Sequence, residues 1–299
     1  MTQGLDESLF DDPAVRQLIE LSVEEDLGEE GDVTSRVVPP GARCRAEVVY
    51  REGGVAAGLP LAERVLKRIE PEARFERLVA DGQRLPAGGV AARIEGPARG
   101  VLAAERLLLN FLQRLSGVAT ATRRFVDAIG ELPAQLLDTR KTTPGWRALE
   151  KYAVRAGGGA NHRMGLYDQV LIKDNHLVVH GGESAVAEVV ALARREAPAD
   201  TPVEVEVTTL QGALAAARAG ADIVLLDNFS PDRLRETVDR VRADARERGV
   251  DPPRLEASGG IEQDTVRRVA EAGVDRISTG WVTHSAPALD IALEFRELE

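Results

Sequence analysis

The spacing of apolar residues predicts mixed helices and strands in the first part of the chain. Val15, Leu18, Ile19 and Val23 recur at helical intervals, after Pro13 at the start of the segment. Alternating apolar residues around Val48 indicate a strand. The predicted elements are a helix over 13–27, a strand over 43–51, a helix over 61–69, strands within 79–94 and a long helix from about 101 to 129.

From about residue 135 the pattern becomes a regular alternation of short apolar runs and amphipathic stretches. The runs predict strands at 135–137, 169–172, 203–207, 223–226, 254–257 and 276–278. Helices are predicted between the later ones, at 184–196, 210–219, 232–247 and 264–272. Strands that alternate with helices form βαβ units and hence a parallel sheet. This part of the chain is therefore predicted to be α/β.

Polar residues follow nearly every strand of this second part. In an α/β barrel the carboxyl ends of the strands meet at one mouth, where the active site forms, whereas in an open doubly wound sheet they lie in a row. The barrel is favoured because so many strand ends carry functional groups. The residues concerned are Asp138, Thr139, Arg140, Lys141, Lys173, Glu206, Asp227, Ser258, Gly259, Gly260, Thr279 and Gly280.

Composition narrows the choice of partners. The net charge is −11, which disfavours nucleic acid and anionic membranes. The chain has one cysteine, no apolar run long enough to span a bilayer and no secretion signal at its start. A cytoplasmic protein is therefore expected. Only four of the 38 Lys and Arg residues are Lys, so Lys141 and Lys173 at strand ends draw attention.

The strand ends combine the groups needed to bind a polyanion. Arg140, Lys141, His162, Arg163 and Lys173 would surround one cavity, with arginine suited to carboxylates and lysine to phosphate. Two glycine loops late in the barrel are typical of phosphate sites: Ser258-Gly259-Gly260, with a helix expected from Glu262, and Thr279-Gly280. Two acids at strand ends, Glu206 and Asp227, could hold Mg²⁺. Glu204 lies on the same strand as Glu206, one layer lower.

Other chemistries are less well supported. A lysine at a barrel strand end is also typical of Schiff-base aldolases, although Glu206 and Asp227 nearby would raise rather than lower the pKa of such a lysine. The sequence has no GxxxxGK[ST] loop, no strand–GxGxxG–helix fingerprint and no zinc-ligand pattern.

Several segments closely resemble one enzyme family. They are Glu105-Arg106-Leu107-Leu108-Leu109-Asn110-Phe111, Asp138-Thr139-Arg140-Lys141-Thr142-Thr143-Pro144-Gly145, Asn161-His162-Arg163, Leu171-Ile172-Lys173-Asp174-Asn175-His176, Val203-Glu204-Val205-Glu206-Val207, Leu225-Leu226-Asp227-Asn228 and Ala257-Ser258-Gly259-Gly260. They occur in order over about residues 100 to 290. The chain thus resembles the quinolinate phosphoribosyltransferases, also called nicotinate-nucleotide pyrophosphorylases (carboxylating).

This resemblance implies a reaction and a fold. The family joins quinolinate to 5-phosphoribosyl 1-diphosphate (PRPP), with Mg²⁺, and releases diphosphate and CO₂. The product is nicotinate mononucleotide, and the reaction is a glycosyl transfer in de novo NAD biosynthesis. The implied fold is an N-terminal α/β sandwich over 1–116 and an incomplete (open) α/β barrel over 117–286. A C-terminal helix over 287–299 is expected to pack back on the first domain.

The resemblance also assigns roles to residues. Arg106, donated across a homodimer interface, would grip quinolinate together with Thr139, Arg140, Lys141, His162, Arg163 and Lys173. Lys141, Lys173, Glu206 and Asp227 would be catalytic, the two acids serving Mg²⁺ directly or through water. Ser258, Gly259, Gly260, Thr279, Gly280 and Trp281 would bind the phosphate of PRPP.

Two further alternatives remain open at this stage. A paralogue of the same fold from molybdenum operons need not share the quinolinate clamp, so the complete set of Arg106, Arg140, His162 and Arg163 argues against it. A non-catalytic anion-binding protein is the other possibility.

Overall fold

The protein was analysed as a computed structural model, which describes residues 5–298, and only the backbone of Leu298. Two compact units emerge. The first contains the chain up to Arg123, Thr142–Gly158 and the residues from Val282 onward, and the second contains Arg124–Lys141 and Gly159–Trp281. The sequence predicted two domains of consecutive residues, 1–116 and 117–286. In the structure, Thr142–Gly158 and the residues from Val282 onward belong to the first unit as well. Within residues 5–298, no helix has the length and apolarity required to span a membrane.

The first unit is built on an antiparallel sheet with the strand order β12-β1-β5-β3. Its strands are β1 (Arg43–Tyr50), β3 (Arg74–Arg77), β5 (Gly89–Pro97) and β12 (Ile291–Leu298), and a two-stranded sheet pairs β2 (Gly54–Val55) with β4 (Arg84–Leu85). The helices are α1 (Pro13–Leu27), α2 (Leu59–Ile69), the part of α3 (Ala98–Ile129) up to Arg123, α4 (Arg147–Ala156) and α10 (Trp281–His284), which starts at the unit boundary.

Local sequence explains these elements. Helix α1 begins after Asp12, whose carboxylate accepts a hydrogen bond from the backbone N–H of Ala14 at 2.8 Å, and Pro13 stands in its first turn. The helix ends at Gly28, which has a φ of 50°. Strand β1 alternates as predicted, and its side chains at Ala46 and Val48 are buried. Burial of such a side chain contributes roughly 1–3 kcal/mol.

The prediction of a C-terminal helix over 287–299 is wrong. Residues 291–298 form strand β12, which pairs antiparallel with β1, so that Ile291 lies opposite Tyr50. The strand satisfies backbone groups along an edge of β1 that a helix would leave without partners. The alternation of Ile291, Leu293 and Phe295 was the available signal for a strand. Glu299 lies outside the described residues.

The second unit contains a six-stranded parallel sheet with the order β6-β11-β10-β9-β8-β7. The strands are β6 (Gln135–Leu137), β7 (Val170–Ile172), β8 (Val203–Val207), β9 (Ile223–Asp227), β10 (Arg254–Ser258) and β11 (Arg276–Ser278). The helices are the last residues of α3, α5 (Asp174–Val179), α6 (Val186–Glu196), α7 (Leu210–Arg218), α8 (Pro231–Arg248) and α9 (Val266–Glu271).

The strand order identifies the second unit as an open barrel. Strands β7 to β11 are neighbours in chain order without the reversal that defines a doubly wound sheet. The first strand, β6, pairs with the last, β11, and this is the pairing that curls a sheet into a barrel. Strands β6 and β7 are the two edges, so the barrel is open between them. The predicted α/β fold with an incomplete barrel is confirmed.

Candidate active site

A cavity of about 580 Å³ lies at the carboxyl ends of the parallel strands. Most of the residues predicted from the strand ends line it together. These are Thr139, Arg140, Lys141, His162, Arg163, Lys173, Glu206, Asp227, Ser258, Gly259 and Gly260, joined by Leu171, Leu225, Asn228 and Ser278. The parallel sheet explains this convergence, because each of the predicted residues stands at or near the carboxyl end of a strand, in the loop after it, or in the segment preceding β7.

Four predicted residues do not line this cavity. Arg106 is exposed on α3 and belongs to the first unit. Thr279 is buried, and its hydroxyl donates to the Ile261 carbonyl at 3.0 Å and accepts from the Trp281 N–H at 3.2 Å. Gly280 is buried as well. The Trp281 ring packs against Phe125, with 5.6 Å between the ring centroids.

Two arginines face each other closely enough to affect one another. Burial lowers the pKa of Arg163, and the positive charge of Arg140 lowers it further. The Nε of Arg140 is buried without a hydrogen-bond partner among the described residues. Buried donors are nearly always paired, so this nitrogen indicates a position that a ligand fills. Two guanidinium groups held together in this way favour an anion with two carboxylates or phosphates.

The ends of strands β7, β8 and β9 place a cation beside two acids. The Lys173 ammonium lies 3.3 Å from the Glu206 carboxylate. Burial raises the pKa of Glu206, the charge of Lys173 lowers it, and the nearby Asp227 carboxylate raises it again. The net shift of the Glu206 pKa is upward. Glu206 and Asp227 together place two carboxylates near the single Lys173 ammonium. Their oxygens form a donor set that suits a divalent cation with oxygen ligands.

The loop after β10 is shaped by two glycines with positive φ. Gly259 has a φ of 94°, and a Cβ added there would lie 2.4 Å from the side-chain oxygen of Asn228. Gly260 has a φ of 58° and has open space where a Cβ would stand. The expectation of a helix from Glu262 is wrong, because α9 begins only at Val266. The backbone N–H groups of the loop, rather than a helix end directly after it, are therefore the groups here that could bind an anion.

His162 is the most enclosed of the cavity's cationic residues, with 8% of its surface exposed. Its Nε2 lies 3.1 Å from the Glu204 carboxylate and 3.4 Å from that of Glu256. Its Nδ1 accepts the Arg163 backbone N–H at 2.8 Å. Burial alone lowers the pKa of His162, but the hydrogen bonds and charges of the two glutamates outweigh it and raise the pKa to about 9. The two glutamates therefore favour the protonated ring, whereas the hydrogen bond from the Arg163 N–H requires an unprotonated Nδ1.

Two buried acids support this region: Asp138, which the sequence placed at a strand end without a role, and Glu256, which was not singled out from the sequence. The fully buried Asp138 carboxylate accepts the backbone N–H of His162 at 2.9 Å and the Asn161 amide at 2.6 Å. Glu256 is also fully buried and lies 2.8 Å from the Arg276 guanidinium. The signal for Glu256 was present, since an acid within an apolar strand requires a buried partner.

The arrangement can bind a polyanionic substrate pair and stabilise developing positive charge. The cations of Arg140, Lys141, His162, Arg163 and Lys173 line one cavity with the carboxylates of Glu206 and Asp227. Preorganised charges in a water-poor cavity act strongly on a reaction that redistributes charge. Transfer of a group between two anionic molecules is the chemistry that this combination favours.

Comparison with known proteins shows which family the chain matches. The chain matches the quinolinate phosphoribosyl transferase N-terminal domain over residues 32–116 and the C-terminal domain over residues 118–294. A probable nicotinate-nucleotide pyrophosphorylase [carboxylating] of Bacillus subtilis is 40% identical over 270 residues, which cover 90% of this chain and 89% of that protein. Its counterpart in Methanothermobacter thermautotrophicus is 40% identical over 94% of this chain and 99% of its own length.

Solved structures agree with the sequence comparison. The nicotinate-nucleotide pyrophosphorylase from Francisella tularensis superposes with a TM-score of 0.88 at 36% identity. The match covers 99% of this chain and 100% of the solved one. The similarity therefore extends over both units.

Proposed function

Because this chain belongs to the quinolinate phosphoribosyltransferase family, we propose that it transfers the phosphoribosyl group of PRPP to quinolinate. Diphosphate and CO₂ leave, and nicotinate mononucleotide forms, a step of NAD biosynthesis. The observation that carries the proposal for this cavity is the Arg140–Arg163 pair, with a buried guanidinium nitrogen that lacks a partner among the described residues.

The dicarboxylate is bound on the arginine side of the cavity. Arg140 and Arg163 grip the two carboxylates of quinolinate, and His162 lines the same cavity. Thr139 fixes the turn before Lys141, since its hydroxyl accepts the Lys141 backbone N–H at 3.0 Å. A planar guanidinium binds a carboxylate through two parallel hydrogen bonds, which orients the ring as well as holding it.

PRPP occupies the opposite side. Lys141 and Lys173 face its diphosphate, and Ser258, Gly259 and Gly260 take the 5′-phosphate through backbone N–H groups. The segment directly after β11 supports that subsite and contains Thr279, Gly280 and Trp281. The Thr279 hydroxyl does not bind the phosphate in this proposal, because it already has two protein partners. This layout places the ribose between the two anionic ends.

Glu206 and Asp227 are the residues that would hold Mg²⁺. Their two carboxylates at neighbouring strand ends suit this cation, which takes oxygen ligands and keeps several waters. When bound, the ion neutralises charge on the diphosphate leaving group. The two carboxylates also stabilise the positive charge that develops at ribose C1 as the diphosphate departs.

The protein's own groups then assist loss of CO₂. Once ribosylation has made the pyridine nitrogen cationic, the electron pair left at the adjacent carbon is stabilised by that charge. Arg140 and Arg163 hold the ring in register for both steps, and such positioning supplies a large share of catalysis. The carbon that loses CO₂ takes up a proton to give nicotinate mononucleotide.

A homodimer completes the site in this proposal, with Arg106 reaching the partner's cavity. Arg106 is exposed on α3, and Leu102 lies four residues before it on the same helical face. Leu102 borders an apolar groove with Val37, Val38, Pro39 and Phe295, and Val37 is 83% exposed. An apolar groove beside an exposed arginine is typical of a protein interface. A cytoplasmic location remains a prediction from the sequence.

A Schiff-base aldolase is disfavoured by the ion pair at the strand ends. The nucleophile in that chemistry is a neutral amine. Lys173 instead forms an ion pair with the Glu206 carboxylate at 3.3 Å. Borohydride trapping of a carbonyl substrate on Lys141 or Lys173 would support the aldolase.

The direct test is to incubate the purified protein with quinolinate, PRPP and Mg²⁺. We expect nicotinate mononucleotide, diphosphate and CO₂ in equal amounts, and loss of activity when EDTA removes the metal. Nicotinic acid serves as the control substrate, since it lacks the second carboxylate. Product from nicotinic acid and none from quinolinate would refute the proposal.

A further inference from the structure

Two glutamates lie deeper in the barrel than the residues that line the cavity. Glu204 stands two residues before Glu206 on β8, so its side chain points to the same face one layer lower. Glu256 is on β10, and both side chains are fully buried. Their carboxylates meet at the Nε2 of His162, at 3.1 and 3.4 Å. The reaction described above does not use either carboxylate.

The two glutamates are themselves held in place. The Gln169 side-chain amide donates to the Glu204 carboxylate, and the Arg276 guanidinium lies 2.8 Å from that of Glu256. A buried carboxylate is costly unless it is paired, and here each one has a cation or a donor beside it. Arg276 supplies one positive charge beside Glu256. Burial, and then the negative charge of Glu256, raise the pKa of Glu204.

His162 belongs to a segment that occupies the opening of the barrel. Ala160 forms an isolated parallel bridge with Leu137 of β6, where the next strand of a closed barrel would pair. On the other side, the Arg163 guanidinium donates to the Gln169 carbonyl at 3.1 Å, directly before β7. The segment 160–163 therefore connects the two edge strands without being a strand of the sheet.

The ring of His162 is the link between this segment and the sheet. Asp138 fixes the backbone of His162 from β6, whereas Glu204 and Glu256 fix its ring from β8 and β10. Arg163 follows directly and also lines the cavity. Any rotation of the imidazole would shift the residue that carries the guanidinium, because its backbone N–H donates to the Nδ1 of the same ring.

We propose that Glu204 and Glu256 are positioning residues for the dicarboxylate: through His162 they hold the 160–163 segment across the barrel opening and so fix Arg163 in the binding cavity. This inference rests on the proposed function. It assigns a role in quinolinate binding to two carboxylates that touch neither substrate. Residues that hold a binding residue, rather than the ligand itself, commonly decide how well that binding residue is oriented.

The test is a steady-state comparison of the isosteric variants Glu204→Gln and Glu256→Gln with the unaltered enzyme. We expect the KM for quinolinate to rise about tenfold or more in each, because a buried charge-assisted hydrogen bond is lost, whereas the KM for PRPP changes less than about twofold. A loss of general stability would instead affect both substrates alike. Equal increases in the two KM values would overturn the proposal.

A double-mutant cycle tests whether Glu256 acts through His162 or only stabilises the fold. If Glu256 acts through His162, adding Glu256→Gln to His162→Ala should raise the KM for quinolinate little beyond the single His162→Ala change. Fully additive effects would contradict the proposed route. If Glu256→Gln does not fold, the same cycle with Glu204→Gln decides the question.

The matched control is Asp81→Asn in the first unit. Asp81 accepts hydrogen bonds from the Gly58 and Leu59 backbone and from the Tyr152 hydroxyl, so its loss should lower thermal stability but leave the quinolinate KM unchanged. Absence of nicotinate mononucleotide from the unaltered enzyme would count against the proposed function itself. Normal turnover with unaffected glutamine variants would count against the positioning role alone.

A metal ion is the competing occupant of this cluster. His162, Glu204 and Glu256 place potential ligand atoms within 4.8 Å of one another. If the two glutamates hold His162 as proposed, elemental analysis of the dialysed protein should show no stoichiometric transition metal. A metal that is present in equimolar amount and disappears in Glu256→Gln would overturn the positioning role.

Discussion

The ammonium of Lys173 and the carboxylate of Glu206 lie 3.3 Å apart at the ends of neighbouring strands. In the proposed reaction the Lys173 ammonium binds the diphosphate, and the Glu206 carboxylate beside it binds the metal and the ribose. The pair therefore joins the two halves of the PRPP subsite.

Replacement of Lys173 by methionine should lower kcat/KM by roughly 2–4 kcal/mol in transition-state terms, because a charge on the leaving group is lost. Methionine keeps most of the side chain's length and removes only the charge. Lys67→Met is the control, since Lys67 is exposed in the first unit and donates to the Pro71 carbonyl. Near-normal activity of the Lys173 variant would remove this residue from the site.

The buried His162 should make stability depend on pH. Its folded-state pKa of about 9 lies above the ordinary value of 6.5. The stabilisation is therefore complete below about pH 6.5 and is lost as the pH rises through about 9, by roughly 3 kcal/mol in all. Urea unfolding at pH 6.5 and pH 9.5 measures it. The decrease should be absent in His162→Gln and present in His180→Gln, which alters an exposed histidine.

The two glycines of the loop after β10 should respond differently to alanine. In Gly259→Ala the new Cβ would collide with Asn228, so both the unfolding temperature and PRPP binding should suffer. Gly260→Ala meets no atom within 4 Å and adds only backbone strain of about 1–2 kcal/mol. If the phosphate is bound beside Gly260, the KM for PRPP rises in this variant as well. An unchanged KM would indicate a turn without a binding role.

Subunit mixing tests the role of Arg106. Arg106→Ala and Lys173→Ala chains should each be inactive, whereas a mixture should recover up to roughly one quarter of full activity, because mixed dimers contain one intact site. A mixture of Arg140→Ala with Lys173→Ala is the control, since both residues belong to the same chain's cavity. Recovery in the control, or none in the test mixture, would contradict an arginine donated across a dimer.

Much of the barrel could be predicted because its signals are local. The strands at 135–137, 203–207 and 276–278 have the predicted bounds, since each is a short segment with apolar residues that is bordered by polar residues or turns. Their polar ends converge because all strands of a parallel sheet point the same way. The convergence of Arg140, Lys173 and Glu206 in one cavity could therefore be predicted from the sequence.

The remaining features depend on contacts between distant parts of the chain. Nothing close to Glu256 in sequence shows that it meets His162, which comes 94 positions earlier in the chain. Strand β12 was predicted as a helix because its partner β1 lies more than 240 residues away. Long-range pairing of this kind overrides local preference.

The pairing of β12 with β1 has a consequence for how the protein is made. Strand β1 emerges from the ribosome more than 240 residues before its edge partner β12. The whole parallel sheet can form while one edge of the first unit's sheet still lacks its partner. During that interval the unpaired edge of β1 is open to pairing with another chain. A nascent or truncated chain that ends before residue 291 should therefore aggregate more readily than a chain that includes β12.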